Sequence, residues 1–443
     1  MKIQLSEHFT YKKLLRFVVP SVIMMIFTSI YGVVDGLFVS NYVGKEAFAS
    51  VNIIMPFLMV LGTLGFMLGA GGSAIVSKTL GEGDKERANR YFSMLVYIAI
   101  ALGVIFSVIG IVFIRPISRL LGAKDSMIDD CVLYGRIILV SLTAFMLQNI
   151  FQSFLVTAEK PQIGLFVTIA AGVTNMVLDF LFVAAFKWGI AGAAVATSIS
   201  QVVGGIIPFV YFFTKNSSIL RLTKTRFDGK VFVKTCTNGS SELMTNVSLS
   251  LVNMLYNFQL MKIDPENGVA AYGVIMYAGF IFVAMFIGYS IGMAPIVGYH
   301  YGANNHNELK NIFRKSLVII CTAAIIVTLL AELTAAPIAK VFTGYDGSLC
   351  NLTTHAFRLY SISFLICGIN IFGSAFFTAL GNGGVSAAIS FMRTLLFQII
   401  CVLALPAIIK EDGIWLAVVA AELLSLAVTV LFLAKYRKRY QYA

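Results

Sequence analysis

Two carboxylates interrupt long apolar runs in the first half of the chain: Asp35, within IYGVVDGLFV, and Asp179, within NMVLDFLFVAAF. Asn175 stands four residues before Asp179, a spacing that puts both on one helix face. Neighbouring runs supply neutral partners of the kind a buried carboxyl needs: Asn149 with Gln152 and Ser153, and Thr197 with Ser198. Two carboxyls brought together titrate as a pair and share one proton. The same acids with neutral oxygen ligands suit Na⁺, with Asp35, Asn175 and Asp179 as the candidate ligands. Spacing alone leaves both chemistries open.

A third acid, Glu242, opens a polar stripe that continues at Asn246, Asn253 and Asn257, with steps of four, seven and four. That is one helical face. It lines water or ties helices together through hydrogen bonds, and a carboxylate fits the first role better. The plainer reading for each acid is a helix-end carboxylate reaching the membrane interface. Asp35, about five residues inside its run, fits that reading less well than Glu242 does.

The elements that carry these groups follow from composition. Of the 443 residues, 58% are hydrophobic and 12% charged, against about 25% charged in an ordinary soluble domain. The apolar residues fall in twelve runs, roughly 14–40, 47–76, 91–114, 131–156, 162–186, 189–213, 233–261, 268–298, 312–334, 353–379, 384–409 and 414–434. Each is long enough to cross a ~30 Å hydrocarbon core. Lipid offers the backbone no hydrogen bonds, so runs of this length must be helices. A soluble enzyme, a nucleic-acid binder and a disordered scaffold are excluded. The net charge of +12 is a topology signal: with the N-terminus inside, 22 Lys and Arg fall in inner segments and eight in outer loops. Both termini are therefore expected in the cytoplasm.

Shifting the chain by 221 residues lays Ala49 on Ala270, Ile54-Met55 on Ile275-Met276 and Gly81 on Gly302. The same shift matches Pro116-Ile117 with Pro337-Ile338, Asn149-Ile150-Phe151 with Asn370-Ile371-Phe372, and Thr157-Ala158 with Thr378-Ala379. The chain thus reads as an all-α polytopic membrane protein: twelve transmembrane helices in two pseudo-symmetric six-helix lobes around a central cavity. The expected divisions are an N-lobe at 1–213, a basic linker at 214–232 and a C-lobe at 233–443. Weaker signals have structural explanations. Gly65/Gly69 and Gly288/Gly292 are close-packing pairs. Gly81-Glu82-Gly83-Asp84 resembles a protease GxGD but lies in a charged loop, and Pro20, Pro56, Pro208, Pro295 and Pro406 are expected to kink their helices.

Four segments together, PSVIMMIFTSIYGVVDGLFVSNYVG (20–44), GEGDKERANRYF (81–92), VTNMVLDF (173–180) and YGANNHNELKNIF (301–313), resemble the multidrug and toxic compound extrusion (MATE) family, in its DinF- and MepA-like branch. The resemblance spans essentially the whole chain. It implies no enzymatic activity and no cofactor beyond a coupling ion. The implied activity is export of organic cations and amphiphilic drugs, coupled to H⁺ or Na⁺ entry. It also implies a coupling network of Asp35 on helix 1, Asn149 on helix 4, Asn175 and Asp179 on helix 5 and Thr197 on helix 6, with a helix 1 bend near Pro20. Members with a C-lobe site use acids on helices 7 and 10. Glu242 matches the first, while Asn370 stands on helix 10 in place of an acid. Glu242, Asn246, Asn253, Asn257 and Asn370 are therefore the candidate C-lobe cavity residues. The expected setting is the bacterial cytoplasmic membrane, with lipid and small-molecule drugs as partners, no nucleic acid, and action as a monomer. The alternative is a lipid-linked saccharide flippase with the same fold. Its cavity would be rich in arginine, and only Arg136, Arg358 and Arg393 lie near spans.

Overall fold

A computed structural model describes residues 3–264 and 267–443. Of the cations counted above, Lys2 and the side chain of Lys45 lie outside that description. The described residues form twelve helical rods. The first six are α1 (Tyr11–Tyr42), α2 (Lys45–Gly81), α3 (Lys85–Leu120), α4 (Asp125–Val140 with Leu142–Thr157), α5 (Pro161–Asp179, continued by the π turn Phe180–Ala185) and α6 (Gly189–Phe213). The second six are α7 (Gly229–Ile263), α8 (Asn267–Gly302), α9 (His306–Thr343), α10 (Gly347–Ser361 with Phe364–Ala379), α11 (Gly383–Phe391, the π turn Met392–Leu396 and Phe397–Ile409) and α12 (Glu411–Tyr440). Nine rods are long and apolar enough to cross a membrane, and α4 and α10 qualify as bent pairs. The twelfth, α7, is equally long but too polar to qualify, because it carries the stripe that begins at Glu242.

The repeat is visible in details that follow the 221-residue shift. Asp84 caps α3 by accepting the Arg87 N–H at 2.9 Å, and Asn305 caps α9 by accepting that of Glu308 at 3.1 Å. The GxGD resemblance is accordingly a helix cap. On α3 the exposed stripe is Val104, Ile105, Val108, Ile109 and Val112; on α9 it is Ile325, Ile326, Leu329, Leu330 and Leu333, residue for residue at the same shift. Such faces are stable only against lipid tails, and the chain is a multi-pass membrane protein.

The sharp bends also repeat, but not at the prolines. The α4 rod turns by 53° at Ser141 and α10 by 47° at 362–363. Pro20, Pro56, Pro208, Pro295 and Pro406 all lie inside unbroken helical segments. At the two breaks the backbone tightens to i→i−3 bonds, Ser141 N–H to Ile138 O at 3.1 Å and Ser363 N–H to Tyr360 O at 3.0 Å. The Ser141 hydroxyl also lies 2.7 Å from Gln201 Oε1 on α6, which fixes the corner.

The halves meet where α1 packs on α8 and α2 on α7, the same contact seen from each half, and where α2 crosses α8 near the axis. Glycine makes this possible. A Cβ on Gly71 would overlap the Thr235 carbonyl, and one on Gly239 the Met67 carbonyl. Gly81 and Gly302 are pressed in the same way against Tyr299 and Lys78, and Gly288 and Gly292 seat on Ser21-Val22 and Val18 of α1. Gly65 and Gly69 instead seat α2 on α4 within the first half.

Two extended segments bind the end of the molecule at Gly81 and Gly302. Residues 214–228 run along α3, where Asn89 Oδ1 accepts the Arg221 N–H at 2.6 Å and Ser93 Oγ accepts that of Thr223 at 2.8 Å. Helix α7 starts at Gly229, so the last residues of the expected linker are helical. Residues 3–10 cross between the halves. Glu159, at the α4–α5 corner, accepts the Leu5 N–H at 2.8 Å; Glu308, at the start of α9, accepts that of Phe9 at 2.8 Å. His8 Nδ1 lies 2.6 Å from Glu308 Oε2, Lys315 Nζ donates to Phe9 O at 2.7 Å, and Leu5 and Phe9 are fully buried. By packing, this strap belongs with the second half although it begins the first. Glu308→Ala is expected to cost about 1–3 kcal/mol through the donors it strands. It should also expose residues 3–10 to limited proteolysis. Unchanged protection would show that burial of Leu5 and Phe9 suffices.

Candidate functional site

Helix α1 packs on α5 through Gly172, where a Cβ would come within 2.7 Å of the Tyr31 ring. That close approach, and the packing of α5 on α6, bring Asp35 to face Asp179, Asn175 and Thr197. Asp179 and Asn175 are buried and Asp35 is half-buried. Asp35 stands within side-chain hydrogen-bonding reach of Asp179, Asn175 and Thr197, so the two carboxyls are placed to share a proton. Asp35 Oδ1, both Asp179 carboxyl oxygens, Asn175 Oδ1 and Thr197 Oγ nevertheless meet no well-aligned donor in the protein. Buried oxygen acceptors without donors are costly and need a reason. Here two acids, an amide and a hydroxyl converge as an all-oxygen set, which suits a proton or a hard cation of the Na⁺ kind. The π turn Phe180–Ala185 begins one residue after Asp179, and interruptions of this type gather at functional positions.

Asn149 makes its side-chain hydrogen bond outside this group. It is buried and its Nδ2 donates to the Gly62 carbonyl of α2 at 3.4 Å. Pro20 is buried within a continuous α1. Three tyrosines outside the candidate set lie within electrostatic reach of the acids: Tyr31, Tyr134 and Tyr277. Tyr31 is a helical turn before Asp35 and was findable by spacing. Tyr134 on α4 and Tyr277 on α8 are distant in sequence. Tyr277 comes from the second half, and its hydroxyl lies 3.5 Å from where a Gly36 Cβ would stand.

On α7, Glu242, Asn246, Asn253 and Asn257 are all half-buried. Asn246 Nδ2 donates to the Glu242 carbonyl at 2.9 Å, and Asn253 Oδ1 accepts from the Tyr272 hydroxyl at 2.8 Å. Asn370 does not join this stripe. It is fully buried and donates to Glu422 Oε2 at 2.7 Å and to the Glu422 carbonyl at 3.0 Å. Arg393 Nε completes the group, 2.8 and 3.1 Å from the two Glu422 oxygens. Glu422 interrupts the run VVAAELLSLAV just as Asp35 interrupts its own, so the rule that selects Asp35 also selects it.

A duplicated bundle of membrane-spanning helices with carboxyls buried between the helices of one half is the architecture of a secondary transporter. The chain belongs to the MATE family: the MatE family model matches residues 20–181 and 243–403, one stretch in each half. Relatives include the multidrug export protein MepA of Staphylococcus saprophyticus, 23% identical over 374 residues, which cover 84% of this chain and 82% of that protein. MepA of Staphylococcus aureus strain MRSA252 is 22% identical over 376 residues, with the same coverage. Among solved structures, an outward-facing multidrug resistance MATE family transporter of the MOP superfamily superposes with a TM-score of 0.92 at 22% identity, over 98% of both chains. A MOP superfamily transporter from Pyrococcus furiosus, described as having a binding pocket of reverse polarity, gives 0.90 at 22% identity, again over 98% of both.

The facing acids predict an unusual mutational response. Asp179→Asn removes one of two facing carboxyls and adds amide donors, so thermal unfolding in detergent is expected to show stability within about 1 kcal/mol of the parent, or above it. A loss of several kcal/mol, as for a broken buried ion pair, would show that Asp179 already has a partner.

Proposed function

We propose that the chain is a multidrug efflux antiporter of the bacterial cytoplasmic membrane, acting as a monomer with both termini in the cytoplasm. It exports organic cations and amphiphilic drugs as H⁺ or Na⁺ enters. The observation that carries this reading is the convergence of Asp35, Asn175, Asp179 and Thr197 with five buried oxygens lacking donors. The names of the MepA relatives support the choice of cargo.

In this reading the N-lobe (1–213) and C-lobe (233–443) alternate about the glycine seam, with 214–232 as their cytoplasmic linker. The Gly81/Gly302 end is cytoplasmic by its flanking Lys and Arg, and there the lobes and the strap are seated together. A cation entering from outside neutralises the acid pair, and α1 adjusts about Pro20. Because Tyr277 of the opposite lobe stands beside Gly36, a change in α1 is felt across the interface. The half-buried stripe from Glu242 to Asn257 lines the C-lobe side of the drug path, with Glu242 attracting cationic cargo. Asn149 holds α4 to α2 beside the site. The flippase alternative needs basic groups free to meet a diphosphate. Arg393 is committed to Glu422, and Arg358 lies 3.9 Å from Glu332.

Ethidium efflux from drug-sensitive bacterial cells, with pH and Na⁺ gradients imposed separately, tests the proposal. The wild-type chain is expected to export the dye under one gradient, and Asp35→Asn at matched abundance to lose most of that export, roughly tenfold or more. Unchanged efflux by Asp35→Asn would overturn the coupling role. A wild-type chain that moves no cationic dye under either gradient would overturn the cargo.

A further inference from the structure

The two lobes hold their buried acids in opposite ways. At the 221-residue shift Asn149 corresponds to Asn370, but Asp35 corresponds to Tyr256, which is buried with its hydroxyl 3.4 Å from Gln398 Oε1. The C-lobe therefore lacks the helix-1 type acid at its equivalent position on α7. Its deeply buried carboxylate, Glu422, comes instead from α12 and is only 3% exposed. Where both Asp179 oxygens lack donors, both Glu422 oxygens are bonded, Oε1 to Arg393 and Oε2 to Arg393 and Asn370.

The base sits in a telling place. Each lobe has one π turn, on α5 in the first half and on its counterpart α11 in the second. The N-lobe π turn begins immediately after Asp179, and the C-lobe π turn contains Arg393. The π turns lie at different depths along the two equivalent helices, one following an acid and the other containing a cation. The N-lobe cluster carries two acids and no base. The C-lobe cluster carries one acid and one base, with Tyr360 and Cys367 as the other titratable groups around it.

We propose that Arg393 is a built-in cation of the C-lobe. Its guanidinium holds against Glu422 the role that an incoming H⁺ or Na⁺ takes in the N-lobe, so the Glu422 cluster takes up no coupling ion. This rests on the coupling role proposed above for Asp35 and Asp179. Removing Arg393 by itself leaves a buried, unpaired carboxylate, which must then acquire a proton or a metal cation. Removing both partners leaves a neutral cluster once more.

The full-length protein in detergent is treated with dicyclohexylcarbodiimide, which adds to protonated carboxyls in apolar surroundings and leaves an N-acylurea that peptide mass mapping locates. Wild type is expected to be marked at Asp35 or Asp179 and not at Glu422. In Arg393→Met, Glu422 is expected to be marked roughly tenfold more than in wild type, once its only base is gone. Ions moved per dye molecule, measured in proteoliposomes, should be the same for wild type and for the double variant Arg393→Met/Glu422→Gln. The proposal is overturned if wild-type Glu422 is marked as readily as Asp179, or if a monodisperse Arg393→Met leaves Glu422 unmarked. Should Arg393→Met fail to fold, the wild-type pattern and the double variant decide, and an altered ion-to-dye ratio in the double variant overturns it. Ion-driven efflux that survives Asp35→Asn would remove the N-lobe role while leaving the labelling of Glu422 to stand or fall separately.

Discussion

Backbone meets backbone along the seam between the two halves, and most of the molecule is arranged around that fact. In a bilayer no hydrophobic force draws helices together, since lipid tails are as apolar as leucine, so close van der Waals contact must do it. Gly71 with Gly239 and Gly81 with Gly302 allow α2 to touch α7 and α8 without intervening side chains, and Gly288 and Gly292 do the same for α8 on α1. A seam of this kind is strong where it is seated and has little to lose at its margins when it opens. At the Gly81/Gly302 end it is supplemented by the strap from Glu159 to Glu308, which binds both halves through backbone N–H groups.

With that seam fixed, the polar side chains within the membrane fall into three environments. Asp35 and Asp179 face one another beside the neutral Asn175 and Thr197, and two carboxyls so placed need a proton or a cation to join them. Glu422 has its positive partner attached to the chain. Glu242 stands on a half-buried polar face that leaves α7 less apolar than the spans around it. One duplicated scaffold therefore carries an exchangeable charge, a fixed charge pair and a polar path. The difference lies in a few side chains within the two halves of the scaffold.

Much of this was legible in the chain itself. The runs located the twelve helices, and their ends were underestimated because helices extend past the hydrocarbon into loops where polar residues cap them, as Asp84 and Asn305 do. The sharp changes of direction come at Ser141, held by Gln201 of a neighbouring helix, and at 362–363, while Pro20, Pro56, Pro208, Pro295 and Pro406 lie inside continuous helical segments. Asn370 was placed in a cavity because it matches Asn149 and stands where an acid was expected, yet burial and Glu422 hold it elsewhere.

What the sequence determined by itself was the membrane-spanning helical class, the duplication, and the position of carboxylates in apolar runs. Those properties depend on local composition and on a period that survives in a single chain. Only the tertiary structure decided which polar groups meet. Asp35 lies 144 residues from Asp179, Arg393 lies 29 from Glu422, and Tyr277 reaches Gly36 from the other lobe. Those pairings are set by which helix faces pack together, and that depends on glycine seats and corner turns whose effect appears only once the rods are in contact. A carboxylate in an apolar run announces a cost. Its neighbours in space determine whether that cost is met by a bound ion or by an arginine.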